Sequence, residues 1–276
     1  MRILSIGRAL PIMLLSITPF LPEPGRAQTK IVLIAGRPSH GPGDHEFNAG
    51  TKILVRCLNT VRGVEAVFLP GGWPEDESVF EGAKSIVFYM DGGGGHPMIK
   101  GDRMALMQKL MDRGVGLVCL HYAVEFPKEV NDRIVPWLGG YYETGYSTNP
   151  HNDVLLTPAE RHPITRGVEP FQRNDEWYYR IRFTPGDMRV KPILTAILPK
   201  DSTNRETVAW ATERENGGRS FGFTGGHVHK NWGNDPFRKL VLNAILWTAK
   251  VSVPRRGVPS EVTAEELAAN LDPKTR

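Results

Sequence analysis

Short apolar runs alternate with amphipathic stretches along the first half of this chain. Residues 30–35 (KIVLIA), 65–69, 84–89 and 115–120 are mostly apolar at successive positions, the pattern of strands buried on both faces. Helical stripes lie between them. Phe47, Leu54, Leu58 and Val61 define a helix starting near His45, with Asp44 placed to accept from its first turn. Met104, Met107, Leu110 and Met111 define a second over residues 101–113, ended by Gly114. This β-α-β-β-α-β rhythm predicts an α/β domain of flavodoxin-like architecture, a mostly parallel sheet with helices on both faces.

The second half is less regular. Residues 127–185 read as an insertion over one sheet edge, with a strand at 153–157 and the dense polar and aromatic patch RNDEWYY at 173–179. Residues 192–198, 207–211 and 219–223 predict the remaining strands, the first two antiparallel at an edge. The last long helix is marked by Asp235 as cap, Pro236 at its first position and the stripe Phe237, Leu240, Val241, Ala244, Ile245 and Thr248. Thr263 and Glu266 form a capping box for a short terminal helix.

Composition changes this picture only at the ends. With 276 residues, 40% hydrophobic and 23% charged, the chain can bury one large core. Its net charge of +4 is spread without a basic run, which argues against a nucleic-acid partner. Residues 1–27 read as a signal peptide: Arg2 and Arg8 precede an apolar block over 9–21, and Gly25, Arg26 and Ala27 supply the cleavage region. The mature chain then starts near Gln28 and is periplasmic or secreted. Pro11 and Pro19 leave the block too interrupted for a stable membrane span, which needs about 20 apolar residues. The expected division is a signal peptide at 1–27, a main domain at 28–252 and an extension with a short helix at 253–276. Cys57 and Cys119 lie in a helical and a strand pattern and are expected as two free, buried thiols.

Candidate chemistry gathers where the strands end. In open α/β sheets, ligands bind outside the carboxyl ends of the parallel strands. Six of the eight histidines, His40, His45, His96, His121, His227 and His229, fall in loops expected to leave that edge. His227 and His229 face one side if the segment is extended, a two-ligand arrangement for a divalent metal such as Zn, Ni or Mn, which Glu46, Glu125, Asp91 or Glu176 could complete. The expected roles are His121 and Glu176 in acid–base chemistry; His40, Asp91, His96, Tyr122, Glu125, Tyr178 and Trp232 in substrate binding; and His45, His227 and His229 on a metal. Each residue also has a plainer reading. A histidine at a strand end can simply cap backbone groups, Asp175 and Glu176 can belong to a structural network, and His151 and His162, beside Pro150 and Pro163, read as turn residues.

Several motifs together resemble the ThuA-like (trehalose utilisation) family, a relative of the class I glutamine amidotransferase fold. They are SHGPGDHEF at 39–47, LHYAVE at 120–125, HPITRGV at 162–168, DEWY at 175–178, and GGHVH at 225–229 followed by the stretch ending at Trp247; the resemblance covers residues 30–250. In the amidotransferases a G-x-C-x-G turn carries the nucleophilic cysteine. Here the stretch is Cys119-Leu120-His121-Tyr122-Ala123, so His121 stands in the nucleophile's place, and thiolate-based glutamine hydrolysis is not expected. The resemblance implies a sugar or glycoside derivative as ligand. It leaves open an enzyme, a hydrolase, lyase or isomerase with or without a metal, and a non-catalytic carbohydrate-binding module. Oligomerisation is also left open.

Overall fold

The computed structural model describes residues 28–274, so the signal-peptide expectation for residues 1–27 lies outside the described residues. The elements are β1 (Thr29–Ala35), α1 (Phe47–Leu58), β2 (Val64–Leu69), β3 (Ser85–Tyr89), α2 (Arg103–Asp112), β4 (Gly116–Leu120), α3 (Asn131–Leu138), β5 (Gly140–Tyr141), β6 (His151–Pro158), β7 (Phe171–Glu176), β8 (Arg182–Phe183), β9 (Val190–Ile197), β10 (Arg205–Glu213), β11 (Arg219–Phe223), α4 (Asp235–Thr248) and α5 (Ala264–Ala268). One nine-stranded sheet has the order β2-β1-β3-β4-β11-β10-β9-β6-β7. From β2 to β11 every pairing is parallel; from β11 to β7 every pairing is antiparallel.

The expected α/β architecture is present, and the strand alternation explains its two layers. Ile31, Leu33 and Ala35 of β1 pack with α1 and α4, whereas Val32 and Ile34 pack with α2 and α3 on the opposite face. Both faces are covered, so β3 and β4 are buried along their whole length. A fully buried side chain of this size contributes about 1.5–3 kcal/mol. The 127–185 segment does more than cover an edge. Its β6 and β7 extend the main sheet through β9, and β7 delivers Asp175 and Glu176.

Two caps differ from expectation. The residue capping α4 is Asn234, whose side chain accepts from the Phe237 amide, because the chain is still extended there and Asp235 is already helical. Asp44 caps nothing: it bridges Val228 through its backbone, and α1 begins after Glu46 without a side-chain cap. The Thr263–Glu266 capping box of α5 forms. Cys57 and Cys119 are free and buried. Among the described residues, no helix is long and apolar enough to cross a membrane.

Candidate functional site

Four side chains converge at the carboxyl edge of the parallel strands: His45 after β1, His121 at the tip of β4, His227 after β11 and Glu176 at the end of β7. His121 leaves β4 with φ 55°, at a sharp turn into one 3-10 turn over His121–Val124. His40 and His45 also have positive φ, 61° and 47°. Such backbone costs about 1–2 kcal/mol per residue and persists where surrounding structure imposes it, often at functional sites. Gly92 permits the turn: a Cβ there would lie 2.0 Å from the Tyr122 carbonyl oxygen.

The ring nitrogens of the cluster are unusually close. His45 Nε2 lies 2.9 Å from His121 Nε2 and 2.9 Å from His227 Nδ1. Glu176 Oε2 lies 3.2 Å from His227 Nδ1 and 3.6 Å from His121 Nε2. Outer partners assign the tautomers. His121 Nδ1 faces the Thr224 carbonyl at 2.9 Å, an oxygen that can only accept, so this nitrogen carries a proton. His45 Nδ1 faces the Asp91 carboxylate at 2.9 Å and carries one too. Both neutral rings then turn Nε2 lone pairs toward one point, which is repulsive unless a proton or metal ion lies between them.

Electrostatics keep that point suited to a cation. Burial holds His121 well below its ordinary pKa and lowers His45 despite its bond to Asp91, so both are neutral at pH 7. For His227, burial is outweighed by Glu176 and Asp44, and its pKa rises. Burial likewise opposes ionisation of Glu176, but His227 holds its pKa below the ordinary value. Donors at about 2.0–2.2 Å from a tetrahedral zinc stand roughly 3.3–3.6 Å from one another; the Glu176 separations of 3.2 and 3.6 Å are close to this, and the two histidine pairs at 2.9 Å would open slightly around an ion. The carboxylate behind His45 and the carbonyl behind His121 are the outer supports that metal-ligating histidines use. The residues fit a divalent ion.

Asp175, fully buried, positions the third imidazole. Its Oδ1 accepts from the amides of Glu176, His227 and Val228 at 2.9, 3.0 and 3.1 Å, and its Oδ2 from the Gly226 amide and Asn231 Nδ2 at 2.9 and 3.0 Å. Burial pushes its pKa up even so.

Around this centre stand other residues singled out from the sequence. The exposed His40 ring is 3.7 Å from that of His45, and Tyr122 is 6.1 Å from it. Tyr178 Oη is 3.4 Å from His121 Nε2. Glu125 accepts from Thr144 Oγ1 at 2.8 Å; its pKa is raised by burial and by Glu176, although that bond opposes the rise. Four residues lie elsewhere. His229 begins a 3-10 turn instead of continuing extended, so its side chain leaves that of His227 and its Nε2 donates to the Leu267 carbonyl. His96 is buried against Phe126, with Nδ1 accepting from the Met98 amide. Trp232 is buried beside Tyr89 and Gly50, behind the site. Glu46 accepts from the Gly43 and Asp272 amides and pairs with Lys274.

The sequence marked His151 only as a turn residue and did not single out Asn149; the His151 ring meets that of His227 edge-on at 4.9 Å, and Asn149 Nδ2 donates to Glu176 at 3.0 Å. Their neighbour Pro150 signalled a turn, and nothing local showed that the turn opens onto the site.

The family model described as trehalose utilisation (ThuA) matches residues 74–248. A ThuA-like protein from Parabacteroides merdae superposes with a TM-score of 0.61 at 19% identity, covering 87% of this chain and 99% of that one. One from Bacteroides uniformis gives 0.58 at 19% identity, covering 84% and 95%. The carbohydrate deacetylase Agd3 gives 0.52 at 14% identity, covering 81% of this chain and 33% of that one. At these identities the likeness is one of fold, and the fold is glutamine amidotransferase-like. No curated protein sequence matches.

Proposed function

This chain belongs to the ThuA, or trehalose utilisation, family, and from that premise we propose that it is an enzyme acting on a sugar or glycoside derivative at a divalent-metal centre formed by His45, His121, His227 and Glu176. The observation that carries the proposal is the pair of Nε2 atoms of His45 and His121 at 2.9 Å, both with their protons assigned to the far side of the ring. Three imidazoles and one carboxylate are a borderline donor set suited to zinc, with nickel or manganese as alternatives. A bound ion would supply Lewis acidity toward a sugar oxygen or a water molecule. Its ligands are then not the acid–base groups, and His121, completely buried and neutral, is poorly placed for proton exchange. Glu125, whose carboxylate approaches Gly93 together with the Tyr122 hydroxyl and whose pKa is raised by burial and by Glu176, takes that role. Cys119 is buried in β4 with its pKa raised, which supports a reaction other than glutamine hydrolysis. The reading includes export, resting on the pattern of residues 1–27, and N-terminal sequencing of native material tests it.

The central test is elemental analysis of protein grown with zinc, nickel and manganese, followed by incubation with unmodified and oxidised disaccharides. One metal per chain and product formation, both lost in His121→Ala, are expected. Sugar binding without conversion, unchanged by metals, would establish the non-catalytic binding module instead.

A further inference from the structure

Beside the histidine cluster lies a cavity of about 390 Å³, within the range of small-ligand sites. Asp91, whose carboxylate holds His45 Nδ1, forms part of its wall, so the cavity adjoins the cluster through that residue. Three cationic side chains also line it: Arg37, from the loop after β1, and Lys100 and Arg103, from the segment entering α2. Each is held by a backbone carbonyl. Arg37 Nε donates to Gly71 at 3.4 Å, Arg103 Nη1 to Pro97 at 3.0 Å, and Lys100 Nζ to Gly94. Among the described residues, none of the three forms an ion pair with a carboxylate. The half-buried Trp73 ring lies beneath the Arg103 guanidinium at 5.2 Å, and is fixed against Phe80 and Phe88.

We propose that this cavity is a subsite for an anionic substituent, and that the substrate is an acidic sugar derivative carrying a carboxylate or a phosphate ester. The proposal rests on the reading of the neighbouring cluster as the reacting centre and adds the class of molecule it takes. Three cations share the cleft with one carboxylate, Asp91, so the cleft keeps a surplus of positive charge. A cleft with an excess of one sign of charge concentrates field and draws ligands of the opposite sign. Guanidinium groups match the paired oxygens of carboxylates and phosphates, and Pro97 with the half-buried Trp73, its ring covered by Arg103, adds apolar wall beside them.

The test compares glucose, glucuronate and glucose 6-phosphate as probes, titrated calorimetrically into the zinc-supplemented full chain and into Arg37→Ala/Lys100→Ala. At least one anion is expected to bind about tenfold or more tighter than glucose, the gain of one well-made charge-assisted contact. The advantage should weaken as salt rises and disappear in the double variant, whose zinc content stays that of the parent. Which anion wins distinguishes carboxylate from phosphate. Where glucose binds too weakly to measure, the double variant's affinity for the anion is the baseline. Neither anion binding, neither exceeding glucose, or an advantage that survives in the double variant overturns the proposal. Zinc content reports on the cluster separately, so failure of the subsite is distinguishable from failure of the metal centre.

Discussion

Asp175→Asn tests whether one buried carboxylate holds the third imidazole in place. The substituted amide can keep its oxygen in the Oδ1 position, retaining the bonds from Glu176, His227 and Val228. Its NH₂ then occupies the Oδ2 position and faces two donors, the Gly226 amide and Asn231 Nδ2. Two buried donors lose their acceptor, at about 1–3 kcal/mol each, while removing a buried charge returns part of that. The expected net loss is roughly 2–4 kcal/mol of stability. The His227 amide is bonded to this carboxylate, so repacking also shifts the ring that shares the cluster with His45 and Glu176. Zinc affinity should fall by about tenfold or more, the usual consequence of disturbing an outer support. Urea unfolding gives the stability and chelator competition the zinc affinity. A variant within about 0.5 kcal/mol of the parent with unchanged zinc affinity would refute this account of Asp175.

Three further outcomes follow from the same geometry. His45→Ala and His227→Ala should each abolish stoichiometric zinc, whereas His229→Ala, which removes only a side chain bonded to Leu267, should leave it in place; elemental analysis decides, and equal loss in all three would undo the assigned donor set. Burial lowers His96 from 6.5 to about 3, so it favours the folded state fully above about pH 6.5 and loses that contribution as pH falls toward its folded value. At about pH 5 the loss is roughly 2 kcal/mol, and His96→Phe should make urea unfolding correspondingly less acid-sensitive; parallel pH profiles for parent and variant would count against it. Cys57 and Cys119, both buried with raised pKa, should resist a thiol reagent until the chain unfolds, and prompt labelling of two thiols in native protein would contradict their placement.

Sequence by itself determined the parts that depend on local periodicity. Four short apolar runs and two amphipathic stripes were enough for four of the five parallel strands, since a strand buried on both faces has no polar alternation to confuse it. The edge where His45, His121 and His227 gather was legible for the same reason, because parallel connections return every strand's carboxyl end to one side. Tertiary structure decided the rest. Whether His227 and His229 face together turned on a single change from extended backbone to a 3-10 turn. His96 and Trp232 were loop residues in the sequence and packed side chains in the fold. The structural task of Asp175 was hidden because its partners Gly226 to Asn231 stand some fifty residues later. Arg37, Lys100 and Arg103 showed no pattern at all along the chain. Spacing encodes which face a side chain takes within one element; distances between donors on four different elements arise only when the sheet has assembled them.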